Sequence, residues 1–244
     1  MTASPPLDPA AAAALIQQIP LRERKFARTK LALMREAMER LQSRSFCEVT
    51  VKDLCEAAQV SEATFFNYFP KKEDVLRYFI RIWGVEVTWR ALNATGGALG
   101  LRFIEELFDV MAVQFAGCPR ITMEIIGFMT VERSSGECPF SADLSLAERV
   151  QAFPEMGGAL GIPCRKLDVV LEQPLVAAIE HGELPQGTPV SAAVTGLLGL
   201  FFGLPLVFKD TPEQLREVYR AQLQILWAGL RAAGASQELR AQTG

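Results

Sequence analysis

Histidine is nearly missing from this chain: His181 is the single one among 244 residues. That excludes histidine-based metal clusters and makes Ser-His or Cys-His relays within one site very hard to build. His181 precedes Gly-Glu-Leu-Pro and reads as a helix end. Five cysteines (Cys47, Cys55, Cys118, Cys138 and Cys164) contain no CxxC pair. An odd number of thiols without a secretion signal fits a reducing cytoplasm. No phosphate-cradling glycine loop occurs, because Gly96-Gly97 and Gly157-Gly158 read as turns. Strand signals are almost absent after residue 70, and there is no internal repeat. These absences leave little room for catalysis, and no cofactor or metal is expected.

What is present is charge asymmetry and helical periodicity. The net charge of −3 says little, but Leu21 to Trp83 holds 13 basic and 9 acidic residues while Gly84 to Gly244 holds 12 and 18. A basic N-terminal segment on an acidic remainder suits a nucleic-acid-binding head. Residues 1–20 are Ala- and Pro-rich and read as a flexible tail, with a short helix possible over Asp8 to Gln18.

The densest information lies between Thr50 and Leu76. Thr50 caps a short helix with Asp53 as its capping-box partner, and Leu54, Ala57 and Ala58 form its apolar face. Gln59-Val60 turns the chain. Ser61 caps a second short helix whose Phe65 and Phe69 face inward at i, i+4. Two helices joined by so tight a turn form a helix-turn-helix, whose second helix enters the DNA major groove.

The same residues resemble a family. The Ala-Ala-x-Val-Ser turn and the run Thr64-Phe65-Phe66-Asn67-Tyr68-Phe69-Pro70-Lys71-Lys72-Glu73-Asp74 resemble the N-terminal domain of the TetR family of transcriptional regulators, with the likeness extending upstream over about Arg24 to Phe46. Three positions depart from the family pattern. Ser45 and Gln59 stand where glycine is common, and Phe66 stands where a tyrosine often touches phosphate. Thr64, Asn67 and Tyr68 fall on the outward side of the second helix, with Ser61, Glu62 and Ala63 in its first turn. The amide of Asn67 matches the donor–acceptor pair of adenine, and Glu62 would read cytosine or point away. By resemblance, Thr50, Tyr68 and Lys72 take phosphate-contact positions. Arg22, Arg24, Lys25, Arg28 and Lys30 brace phosphates, reach a minor groove, or form a solvated charged face.

The rest reads as helices over Glu73–Leu92, Leu101–Ala116, Arg120–Glu132, Arg165–His181 (which Pro174 should kink or break), Pro189–Phe208 and Thr211–Ala233, with Ser134 to Gly161 irregular. The expected fold is all-α with about nine helices: a three-helix DNA-binding domain over 21–83 (motif about 50–69) and a helical ligand-binding and dimerisation domain over 84–240. Phe103, Phe108, Met111, Phe115, Met123 and Phe128, with polar Gln114, Thr122 and Gln173, are candidate lining for a small hydrophobic effector, plain core packing being the alternative for each apolar residue. Ala192 to Phe208 is a 17-residue apolar run interrupted only by Thr195; its glycines make a buried helix a better reading than a membrane span. Gly196, Gly199 and Gly203, together with Leu223 and Trp227 on the last helix, are the expected dimer seam of a two-fold four-helix bundle.

These expectations describe a cytoplasmic, homodimeric, ligand-responsive DNA-binding regulator, most simply a repressor acting on a palindromic operator and not an enzyme. The alternatives are a redox-responsive regulator with the same head, and an all-helical enzyme or carrier.

Overall fold

The computed structural model describes residues 14–15, 17–135 and 143–243, with side chains omitted at 133–135 and 235–243. The tail expected over 1–20 lies mostly outside these residues, and Cys138 does so entirely. Among the described residues there are ten α-helices and no strand. They are α1 (Leu21–Leu41), α2 (Val51–Ala58), α3 (Glu62–Tyr68), α4 (Asp74–Ala94), α5 (Leu101–Gly117), α6 (Pro119–Ser135), α7 (Leu146–Ala152), α8 (Leu167–Glu180), α9 (Val190–Val207) and α10 (Leu215–Thr243).

The chain divides into two compact units, with one boundary inside α4 at Glu86–Val87. Of the described residues, the first unit holds those up to Glu86 and those between Arg120 and Cys164; the second holds those from Val87 to Pro119 and from Arg165 onward. Residues 120–164 therefore belong with the N-terminal helices. Ion pairs explain the grouping. Arg77 grips the buried Glu132 of α6 through two hydrogen bonds of 2.7 and 2.8 Å and also holds Asp74 at 2.6 Å. Lys30 of α1 meets Glu148 of α7 at 2.8 Å. Ile19, Ala27, Ala147 and Val150 close an apolar cluster between the same helices.

Helix α7 and the 3-10 turn Gly157–Gly161 fall in the stretch read as irregular from sequence. Ser145 and Glu148 form a capping box at the start of α7. Arg149 ties the flanking loops to this helix. Buried, it donates to the carbonyls of Leu144 at 3.1 Å and Ala159 at 3.3 Å, and to the Asp143 carboxylate. A buried guanidinium is tolerated when its donors are used this fully.

In the second unit, α5 packs on α8 and α10, and α9 packs on α8 and α10. Glu183 caps α5 by accepting from the Leu101 N–H at 2.9 Å. Gly100, at φ +139, sits in a conformation that side chains rarely adopt, and a Cβ there would push against the Glu183 carboxylate. Asp109 of α5 receives Arg216 and Arg220 of α10. Pro174 does not break α8, which runs unbroken from Leu167 to Glu180 with Pro174 buried. A proline in a helix removes one backbone bond, and here packing outweighs that loss.

Candidate nucleic-acid interface

The local chemistry of the helix-turn-helix is as the sequence predicts. The Thr50 hydroxyl accepts from the Asp53 N–H at 3.1 Å, and Asp53 accepts from the Thr50 N–H at 2.9 Å. The hydrogen bonds from Thr50 hold the Asp53 carboxyl below its usual range. Gln59 closes the helix in the left-handed region at φ 53, ψ 45. The glycine that the family pattern favours there would relieve this strain. Ser45 at the other departure carries no positive φ among the described residues; its N–H and hydroxyl bind Glu48 at 2.8 and 2.9 Å.

Ser61 caps α3 by accepting from the Thr64 N–H at 3.1 Å. Phe65 and Phe69 are buried at 0% and 1% exposure, their rings 5.6 Å apart. This anchors α3 and leaves Glu62, Ala63 and Asn67 exposed and Thr64 and Tyr68 half-buried on its other side. Phe66 is 47% exposed on this helix. The Thr64 hydroxyl shares a 2.8 Å hydrogen bond with that of Ser61, so it serves the cap first.

Two basic residues are placed differently from the sequence reading. The Lys72 ammonium donates to the carbonyls of Phe46 and Val49 at 2.8 and 3.1 Å and lies 4.3 Å from the centre of the Phe46 ring. It ties the α1–α2 loop to the start of α4, leaving one of its three donors for a phosphate. Lys30 is neither a phosphate brace nor a solvated residue. It points inward to Glu148 and lies 4.4 Å from the ring centre of Tyr78. Burial pushes the Glu148 carboxyl up, but the Lys30 hydrogen bond and charge, with the Ser145 contacts, outweigh burial and hold it below its usual value.

Sequence reasoning missed Leu21 and Phe26. With Arg22, Lys25, Thr64, Asn67 and Tyr68 they line an open recess of about 670 Å³ beside the outward face of α3. Leu21 is 58% and Phe26 42% exposed, and the Phe26 ring packs 4.5 Å from that of Tyr68. The signal was available: Arg-Lys-Phe-Ala-Arg interleaves an aromatic with basic residues.

Residues 33–79 match the family described as bacterial regulatory proteins, tetR family. This N-terminal segment is similar to the DNA-binding domain of that family. A 55-residue stretch is 42% identical to the HTH-type transcriptional regulator TcmR of Streptomyces glaucescens, covering 22% of this chain and 24% of that protein. The chain thus spans about a quarter of the length of that curated relative. Over greater length it is similar to Thermus thermophilus FadR, a TetR family repressor solved with lauroyl-CoA: 26% identity over 81% of this chain and 92% of that one, with a TM-score of 0.52. FadR of Bacillus halodurans shares the fold, with 17% identity, a TM-score of 0.57 and coverage of 83% of this chain and 96% of that one.

The expected effector residues are divided between the units. Phe103, Phe108, Met111 and Phe115 are buried in the second unit, where Phe108 packs edge-on against Tyr219 at 5.0 Å and Phe115 lies 5.8 Å from Phe201. These are the contacts of a packed core. Met123 and Phe128 belong to the first unit and are half-buried, the Phe128 ring lying 5.9 Å from the Arg77 guanidinium. Thr122 is buried and Gln114 half-buried. Gln173 is exposed rather than inward-facing.

The expected dimer residues also separate. Leu223 and Trp227 are each 1% exposed within the single chain, and the Trp227 indole donates to Glu105 at 3.1 Å. They are core, not seam. A Cβ at Gly196 would lie 3.5 Å from Leu226 of its own chain, whereas one at Gly199 or Gly203 would meet nothing within 4 Å. Helix α9 has a mean hydropathy of 2.0 over 18 residues, yet only 22% of it is buried within the single chain. Leu206, Val207 and Ile225 are 49%, 73% and 65% exposed.

The described residues contain no cluster of three or more His, Cys, Asp or Glu suited to a metal. Cys47 and Cys118 are exposed thiols, whereas burial and the Asp143 hydrogen bond push the Cys164 thiol up to about 11, which disfavours its reactive thiolate.

Proposed function

We propose that this protein is a homodimeric transcriptional repressor that binds a palindromic DNA operator and is released by a small, largely hydrophobic effector in the cytoplasm. The observation that carries the DNA reading is the exposed face of α3 beside a recess whose charged lining, Arg22 and Lys25, is wholly cationic. In this reading Asn67 reads a base edge, and Ser61, Glu62, Ala63 and Thr64 border the groove. Thr50 and Tyr68 contact phosphate, and Lys72 adds its remaining donor.

The unburied apolar surface of α9 supports dimerisation. An 18-residue helix of this hydropathy needs a covering surface in water. A second copy of the same face, related by two-fold symmetry, supplies one and pairs with a palindromic site. Gly199, Gly203, Leu206 and Val207 lie on that face, and Ile225 adds exposed apolar surface on α10. The effector reading rests on the Thermus relative, whose lauroyl-CoA has a long apolar part.

Selection of duplexes from a random pool tests the reading. The retained sequences should be inverted repeats, and Asn67→Ala should relax specificity at one base pair of each half-site, costing about 1–3 kcal/mol there. Retention without enrichment of any sequence would show that α3 is not a reading helix.

A further inference from the structure

We infer that Phe26 is a positioning residue for DNA binding, holding the Tyr68 ring so that its hydroxyl is presented to the DNA backbone beside Arg22 and Lys25. The inference rests on the proposed DNA-binding function.

Phe26 is 42% exposed, so a large part of its ring stays open to solvent and to a ligand. Its contact with Tyr68 is nevertheless specific: the ring centres are 4.5 Å apart, with the planes inclined by 48°. Tyr68 is the last residue of α3 and is followed by extended backbone at Phe69, φ −134 and ψ 95, so its own helix does not continue to brace it. Phe26 supplies a brace from α1. Among the described residues the Tyr68 hydroxyl forms no hydrogen bond, so it keeps both a donor and an acceptor for a ligand. The recess that the two rings share is lined by two cations and no carboxylate, together with Asn67 and Thr64. A sugar–phosphate strand matches this lining: phosphate oxygens meet Arg22, Lys25 and the phenol, and the apolar sugar edge meets Phe26 and Leu21. A ring held in place before contact loses less side-chain freedom on binding.

The test is fluorescence anisotropy of the full-length protein on a duplex selected from a random pool. Phe26→Ala should weaken specific binding by about five- to tenfold, the size of coupling expected between touching residues. Phe26→Tyr, which keeps the ring, should stay within about twofold of wild type. The loss should vanish in a Tyr68→Ala background, and the slope of affinity against salt should not change, since no cation is removed. Thermal melting of each variant separates unfolding from lost positioning, and Phe26→Leu replaces Phe26→Ala if alanine disturbs α1. Specific binding by wild type with Phe26→Ala unchanged, or losses that simply add to those of Tyr68→Ala, would overturn the inference alone. Failure of wild type to discriminate the duplex from a scrambled one would overturn the DNA reading and this inference with it.

Discussion

Glu148→Gln probes the ion pair that joins α7 to α1. The Lys30 and Glu148 side chains are 15% and 7% exposed, and their charged atoms are 2.8 Å apart. Glutamine retains the shape, and its one carbonyl oxygen can still accept from the Ser145 N–H, which turns its amide NH2 toward Lys30; the change thus removes the charge and the oxygen that accepts from the ammonium. It leaves a largely buried ammonium without its counter-charge. Removing one partner of a buried pair costs about 3–5 kcal/mol in general. The ring of Tyr78, 4.4 Å from the ammonium, and the remaining exposure of Lys30 soften this. The expected loss is therefore nearer about 2–3 kcal/mol. Lys30→Met combined with Glu148→Gln should recover part of it, because no buried charge then remains. The pH dependence comes from the lowered Glu148 carboxyl. Its contribution is present above the unfolded value of 4.5 and is lost as pH falls through the lower folded value. The gap between wild type and Glu148→Gln should thus be full at pH 7 and shrink under acid. Urea unfolding followed by circular dichroism at one fixed protein concentration reads both effects, the concentration being held because assembly would add to stability. A variant within about 0.5 kcal/mol of wild type at pH 7 would refute the reasoning.

Two further changes address the seam and the turn. A Cβ at Gly199 meets nothing within 4 Å in its own chain, so Gly199→Leu should leave the fold intact and sediment as monomer where wild type sediments as dimer; a dimer of wild-type strength would place the seam elsewhere. Gln59→Gly removes a side chain from φ 53 and should raise stability by about 1 kcal/mol in thermal or urea unfolding, any decrease counting against strain at this turn.

The motif was legible because its determinants are local. Thr50 and Asp53, Ser61 and Thr64, Phe65 and Phe69 each lie within four residues of one another, and Gly96 and Gly97 mark the end of α4 directly. The Ser145–Glu148 capping box carried the same kind of local signal, hidden among the turn residues around it. What spacing could not give was the partner. Lys30 looks like its basic neighbours until Glu148, 118 positions away, is brought beside it. Lys72 reads as a free cation until the loop carbonyls of Phe46 and Val49 approach. On α10, periodicity identified an apolar stripe through Leu223 and Trp227 but not that α5 of the same chain covers it. Ile225, outside that stripe, remained exposed.

The central claim is sequence-specific binding by a two-fold dimer, and a titration of one labelled inverted-repeat duplex tests it most directly. Anisotropy should saturate at two chains per duplex. Affinity should exceed that for a scrambled duplex by at least about 10³-fold and should fall steeply between about 50 and 200 mM salt as phosphate contacts release counterions. Equal affinity for both duplexes, or saturation at one chain per duplex, would contradict the account.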